Sequence, residues 1–395
     1  MNKKVCMIAY TAYPFDARVR REAETLAAVG GFEVTVLCLK MATQARSYTL
    51  DGVVVQELDE RKYAGVSKLR YVTAYLRFLV KAFLACSGLF IHRGIDVVHV
   101  HNMPNFLVLA GIIPKLMGRK VILDMHDSVP DTFASKFENG AGGLFELLCL
   151  EEKLSTWMSD RIICVNEVHR DVVVRRGLPA EKTFISMNVP DHRHFGAAAR
   201  PQSALKQNAH FRLVYHGTIE ERLGIDLAVE ALAALKARIP GVELHLWGGR
   251  DYRHALREQS RQLGSGDIVH FHTAVPVDQL AHMLSGMDLG LVPYRQTAAT
   301  DLALPVKMME YIALGIPVVA PRLMAIERYF SDEMVSFFQP GNAESLVEAI
   351  LRVYNDRPHR QARTEKAREF LDRYGWQKQA ADFVRFYQRL QRHRH

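Results

Sequence analysis

Cysteine is scarce in this 395-residue chain, and the five present, Cys6, Cys38, Cys86, Cys149 and Cys164, form no Cys-x-x-Cys pair. An odd, scattered set in mostly apolar contexts reads as buried free thiols in a reducing compartment, with neither disulfides nor a zinc site. A leader peptide is not indicated either. The apolar run after Lys3 and Lys4 is about six residues, short of the roughly 7–15 an h-region needs, and suits a first buried strand. No basic block interleaved with aromatics is present, which places nucleic acid last among partners. What is abundant points elsewhere: 49% apolar and 24% charged residues are those of a globular protein, and the length makes two domains the expectation. The net charge of +8 suits anionic partners such as a phosphorylated substrate or a membrane surface.

Short β-branched runs alternate with helix-length amphipathic stretches, the pattern of parallel sheets with crossover helices. KVCMIAY, DARVRREAETLAAVG and FEVTVLCL open the series, and DVVHVHN, KVILDMHD, RIICVN and KTFISMN continue it. These later strands end in polar residues, among them His101, Asn102, His126, Asp127, Asn166 and Asn188. Ligands of open α/β sheets bind beyond such carboxyl ends. Periodicity is then lost in GAAARPQSALKQNAH, and a second series runs from FRLVYHG to DLGLVPY. The expected organisation is a first Rossmann-like domain over 1–197, a linker over 198–210 and a second such domain over 211–368. A charged C-terminal helix, 369–395, would then cross back to the first domain.

The segment Leu302–Pro321, LALPVKMMEYIALGIPVVAP, carries the most chemistry. Pro305 suits the first turn of a three-turn helix that Gly315 closes, before a short buried strand. Lys307 and Glu310, three residues apart, share a face. A phosphate at that N-terminus would meet backbone N–H groups, the helix dipole and the Lys307 ammonium, while Glu310 could accept two hydroxyls of a ribose. From these two residues alone, an ordinary surface Lys and Glu is an equally good reading. Ser67–Arg93 places Lys68, Arg70, Arg77 and Lys81 in a run rich in Leu, Phe, Val and Tyr. It suits an interfacial helix on anionic lipid, or a sheet-covering helix with snorkelling stems.

Taken in order, YPFDARVRREAETLAAVGGFEVTVL, DVVHVHNMP, VILDMHDSVPDTF, NVPD, YHGTIEERLGIDLAVEAL and LPVKMMEYIALGIPVVA resemble the retaining glycosyltransferases of family 4. Within that family they are most similar to enzymes of bacterial surface polysaccharides. The resemblance implies the GT-B fold, two doubly wound Rossmann-like α/β domains facing a cleft. It assigns His126 to the donor sugar and acceptor, and Arg222, with Gly217 and Thr218, to the nucleotide diphosphate. The family's basic positions after this strand hold Thr218 and Leu223, with Arg222 displaced by one, so Lys307 would complete the phosphate cations. The first member of the family's acidic pair is replaced by Leu302. Glu310 matches the ribose-binding second member, and backbone near Ala303, Leu304 and Pro305 would hold the donor sugar. Asp16, Arg18, Asn102 and Asp127 would line the cleft, although a helix N-cap alone accounts for Asp16.

The activity so implied is transfer of a hexose or N-acetylhexosamine from a nucleotide sugar to a glycan acceptor, lipid-linked, with no cofactor and no metal. No Asp-x-Asp element appears where a divalent ion would replace the cations, so activity is expected to persist in a chelator. The implied location is cytoplasmic, at the inner face of the membrane. A hydrolysing nucleotide-sugar epimerase and a non-catalytic glycan- or membrane-binding protein share the architecture. The first needs more cleft carboxylates than Glu310 and Asp127, and paired glycosidase carboxylates are not evident.

Overall fold

The computed structural model describes residues 2–390 other than 42–45, 64–66, 136–141, 197–209, 250–251, 274 and 276. The chain forms two compact units, Met1–Asn188 with Gln379–His395, and Val189–Lys378. Of the expected linker, 198–210, only His210 lies within the described residues.

The first unit is built on an eight-stranded sheet. Its strands are β1 (Lys3–Ala9), β2 (Phe32–Leu39), β3 (Ser47–Leu50), β4 (Val53–Leu58), β5 (Val97–His101), β6 (Lys120–Met125), β7 (Arg161–Cys164) and β8 (Thr183–Ile185). They run in the order β3-β4-β2-β1-β5-β6-β7-β8. All neighbours are parallel except β3 and β4. Every residue of β5 is buried, as a parallel strand covered on both faces requires. The β3–β4 hairpin is absent from the sequence reading, yet its turn is Asp51-Gly52, both at positive φ, a strong hairpin signal.

Helix α1 (Ala17–Val29) starts at Asp16, whose carboxylate accepts the Val19 N–H at 3.1 Å. Helix α2 (Lys68–Arg93), capped by Ser67, buries Phe78, Ala82 and Cys86 against the sheet. Its opposite face leaves Leu69, Val72, Leu76, Val80, Leu84 and Ile91 exposed. The single terminal helix expected over 369–395 is instead broken between two, Arg357–Tyr374 and Trp376–Arg389. The break falls at Gly375, where a Cβ would come within 2.4 Å of the Leu371 carbonyl oxygen. The second of these helices closes the core of the first unit. Phe383 and Tyr387 are buried, Phe386 stacks on Phe184 at 4.5 Å, and the Gln379 side chain accepts the Met187 N–H at 2.7 Å.

The second unit has six parallel strands, β9 (Phe211–His216), β10 (Val242–Trp247), β11 (Val269–His272), β12 (Leu289–Leu291), β13 (Val318–Pro321) and β14 (Ser336–Phe338). Their order is β11-β10-β9-β12-β13-β14. At three residues, β14 is too short to show a period in sequence. Helix Val306–Ala313 spans eight residues, about two turns rather than the three expected, and Pro305 occupies its N-cap rather than its first turn.

Candidate functional sites

In the first unit the site follows from register. Adjacent parallel strands place His101 beside Asp124. Alternation along each strand then brings His99, His101, Asp124 and His126 to one face. Arg18 and Glu22, one helical turn apart on α1, descend onto the same face. The guanidinium of Arg18 donates from Nε and Nη2 to the two Asp124 oxygens at 2.9 and 2.7 Å, and from Nη1 to the Ser186 carbonyl at 2.8 Å. Asp124 Oδ2 also lies 3.1 Å from His101 Nδ1 and 3.0 Å from His126 Nε2. His99 Nδ1 is 2.6 Å from the Tyr387 hydroxyl.

This arrangement separates the histidines electrically. Burial pushes His99 down to about 4 and lowers His101 as well. Burial also works against a charged His126, but the Asp124 carboxylate outweighs it and raises the imidazole above its ordinary value. Burial likewise opposes ionisation of Asp124, and Arg18 and His126 overcome it, holding the carboxyl well below the usual range. His126 is therefore the partly exposed end of a buried relay. With Nε2 committed to Asp124, Nδ1 is the nitrogen left to meet a hydroxyl.

The structure gives other roles to two residues expected to line the cleft, Arg18 and Asn102. Arg18 is buried beneath the site and spent on Asp124 and Ser186, because its planar fork matches a carboxylate bidentately. Asn102 uses its whole amide internally: Nδ2 donates to Asn105 Oδ1 and the Asp127 carbonyl, and Oδ1 accepts the His126 N–H at 2.7 Å. It orients the His126 backbone instead of facing an acceptor. Asn188, named above as a strand-end polar residue, accepts from Arg21 at 3.5 Å within the first unit. Asp127 is exposed. Asp16, capping α1, feels the His126 charge, which with the Val19 N–H overcomes burial and lowers its pKa. Sequence reasoning named His101 only as a strand-end residue and missed Asp124, although the alternation HVH and DMH carried the signal, and it missed Glu22 on α1.

In the second unit, the end of β9 meets helix Val306–Ala313. Lys307 Nζ lies 3.8 Å from the centroid of Tyr215 and 5.4 Å from that of Tyr294. Gly217, at φ 108, leaves room for it: a Cβ there would stand 3.2 Å from the ammonium. Gly248 serves the same packing, since its Cβ would fall 2.0 Å from the Gly217 carbonyl oxygen. Desolvation pushes Lys307 down to about 7, with Glu310 opposing and Arg222 adding to the shift. Arg222 donates to Glu220 at 2.9 Å. Buried Glu310 places Oε2 3.1 Å from His216 Nε2, a neighbour the sequence reading passed over. Gly217 and Thr218 are exposed, Leu304 is half-buried and Pro305 is buried. Two cations and a helix N-terminus thus stand at one strand end with a carboxylate one turn deeper. That set can bind a diphosphate and hydroxyls.

The expectation of no metal cluster meets two groups of convergent ligand residues, Glu22, His99, His101 and Asp124, and Glu243, His245 and His270. Each contains one pair two residues apart, His99 with His101 and Glu243 with His245, but is completed only across strands or from a helix.

A family model of the glycosyl transferase 4-like domain matches residues 16–188, and one of glycosyl transferases group 1 matches residues 198–370. The chain is 25% identical over 223 residues to the lipopolysaccharide glucosyltransferase WaaG of Escherichia coli K12, covering 55% of this chain and 56% of that protein. It spans about half the length of the curated relatives it matches. Sucrose-phosphate synthase of Thermosynechococcus elongatus aligns with a TM-score of 0.80 at 19% identity, covering 98% of this chain and 99% of that one. Anabaena HepE in complex with UDP-glucose aligns with a TM-score of 0.72 at 14% identity, again over 98% and 99%. Likeness at such identities speaks for the fold. With the two family models lying end to end over nearly all of it, the chain belongs to the GT-B glycosyltransferases that join a 4-like N-terminal domain to a group 1 C-terminal domain.

Proposed function

We propose that the protein transfers a hexose or N-acetylhexosamine from a nucleotide diphosphate sugar to a hydroxyl of a lipid-linked glycan, with retained anomeric configuration, in surface polysaccharide assembly. The observation that carries this reading is the β9 end. There Lys307, at the helix N-terminus and packed on Tyr215, is desolvated and crowded by Arg222 with Glu310 only partly offsetting them, and a diphosphate would supply the balancing charge. As the sugar leaves, charge develops on the diphosphate and is met by Lys307, Arg222 and the helix N-terminus, without a divalent ion at the phosphates. Glu310 and His216 take ribose hydroxyls, and the backbone near Leu304 takes the sugar. His126 offers Nδ1 to a hydroxyl of donor or acceptor. The UDP-glucose held by HepE and the lipopolysaccharide named for WaaG support the substrate classes.

The test is a thermal-shift panel of uridine, guanosine, adenosine, cytidine and thymidine diphosphates on the wild type and on Glu310→Ala. A ligand about a hundredfold above its Kd stabilises by roughly 2.7 kcal/mol. One base is expected to shift the wild type and not the variant. No shift with any base would refute the donor site and favour the non-catalytic alternative.

A further inference from the structure

Glu243, His245 and Trp247 alternate along β10 and share one face of the second sheet. The register sets His245 beside His270 and Trp247 beside His272 on the edge strand β11. One ligand atom from each of Glu243, His245 and His270 lies within 4.8 Å of the other two. Glu243 Oε2 and His245 Nε2 are 3.2 Å apart. That is close to the edge, about 3.3 Å, of a tetrahedron whose centre stands roughly 2.0 Å from nitrogen and oxygen ligands. The neighbours supply an outer shell. His210 Nδ1 is 2.9 Å from Glu243 Oε1, the carboxylate's other oxygen, and His272 Nε2 is 3.1 Å from His245 Nδ1, the ring nitrogen turned away from Glu243. Such contacts fix the tautomer and orientation of metal ligands. All three ligand residues are half-buried, so an ion has access from solvent.

The other convergent group, around Asp124, already holds a cation. The Arg18 guanidinium is bonded to Asp124 and lies 3.2 Å from Glu22, so a metal ion there would meet a fixed positive charge at close range. Among the described residues, Glu243 meets a fixed cation only at 3.7 Å, in Arg212, and its closer partners are histidines.

We propose that Glu243, His245 and His270 bind one borderline divalent transition ion, Zn²⁺ foremost, with water in the fourth position and His210 and His272 as orienting partners. The ion takes the place of the proton between His245 Nε2 and Glu243, and that proton passes by way of solvent to His245 Nδ1, where it is donated to His272 Nε2. Two imidazoles and one carboxylate suit Zn²⁺, Ni²⁺ or Cu²⁺ and not Ca²⁺ or Mg²⁺, which take oxygen ligands. The bound ion fastens the edge strand β11 to β10, a role separate from sugar transfer.

The experiment uses the full, tag-free chain stripped with chelator and titrated with Zn²⁺ alone against a chromogenic competitor, then with Co²⁺ alone followed by visible absorption. The expected result is one tight equivalent, a tetrahedral Co²⁺ band and a raised Tm. His245→Asn and His270→Asn each abolish the band, and His272→Ala weakens binding by about 10 to 100-fold. Glu243→Gln, which keeps shape and hydrogen bonding, serves as the variant that folds, and it too is expected to lose the band. Absence of a stoichiometric site in the wild type, or equal uptake by wild type and Glu243→Gln, would overturn the proposal.

Discussion

Lys307 shows how much a single side chain can report. Burial holds its free pKa at about 7, with Glu310 pulling upward and Arg222 downward, between the rings of Tyr215 and Tyr294. A bound diphosphate favours the ammonium, so the pKa in the complex lies above the free value. Below about pH 7 the lysine is already charged and affinity is at its plateau. Above it, binding takes up a proton, and affinity falls up to tenfold per pH unit until the bound pKa is reached. Calorimetry with the stabilising nucleoside diphosphate at about pH 6 and about pH 8 is expected to show this loss and the proton uptake, and Lys307→Arg should remove both. Asp124 reports on the other unit. Asp124→Ala removes the bidentate partner of the buried Arg18 guanidinium and leaves it Glu22 at 3.2 Å, at a cost of about 3–5 kcal/mol, readable in chemical denaturation of the intact chain. The Lys307 and Glu310 face was legible because i and i+3 spacing is local. Arg18 was misplaced because nothing local tells a surface arginine from one that reaches a carboxylate 106 residues away.

At the scale of elements, the sequence of α2 admitted two readings, and its packing on the sheet accounts for one of its faces. One face packs into the sheet through Phe78 and Cys86, while under a third of its most apolar stretch is buried. Of the basic residues read as lipid contacts, Arg77 and Lys81 are turned to Glu60, at 2.9 and 3.0 Å. An attraction of this helix to lipid would therefore have to rest on its exposed aliphatic row more than on charge. Replacing Leu76, Val80 and Leu84 together by Gln is expected to reduce co-sedimentation with anionic vesicles while leaving nucleotide thermal shifts unchanged. Equal co-sedimentation would count against a membrane role. Strands and helices with a clear period were readable. The β3–β4 hairpin was passed over despite its Asp-Gly turn, and the terminal helix was run through Gly375 because a single glycine is a weak stop signal.

At the scale of the whole molecule, two successive α/β series were visible as repeated alternation, but the assignment of the last residues depends on packing that sequence periodicity cannot show. Gln379–His395 belongs with Met1–Asn188. A chain ending at Lys378 loses the buried Phe383 and Tyr387, the stacking on Phe184 and the bond to His99. Removal of two buried aromatics costs about 3–5 kcal/mol each. Limited proteolysis of that truncated chain is expected to cut the first unit far faster than the second, and supplying residues 376–395 as a peptide should slow the cleavage. The same connectivity governs synthesis on the ribosome. The first half of the chain emerges without the segment that completes its core, and all of Val189–Lys378 must be translated before that segment exists. At ~5–20 residues per second this is a delay of roughly 10 to 40 s. The later-made unit can then reach its fold first, and the nascent first unit is the natural client of a chaperone.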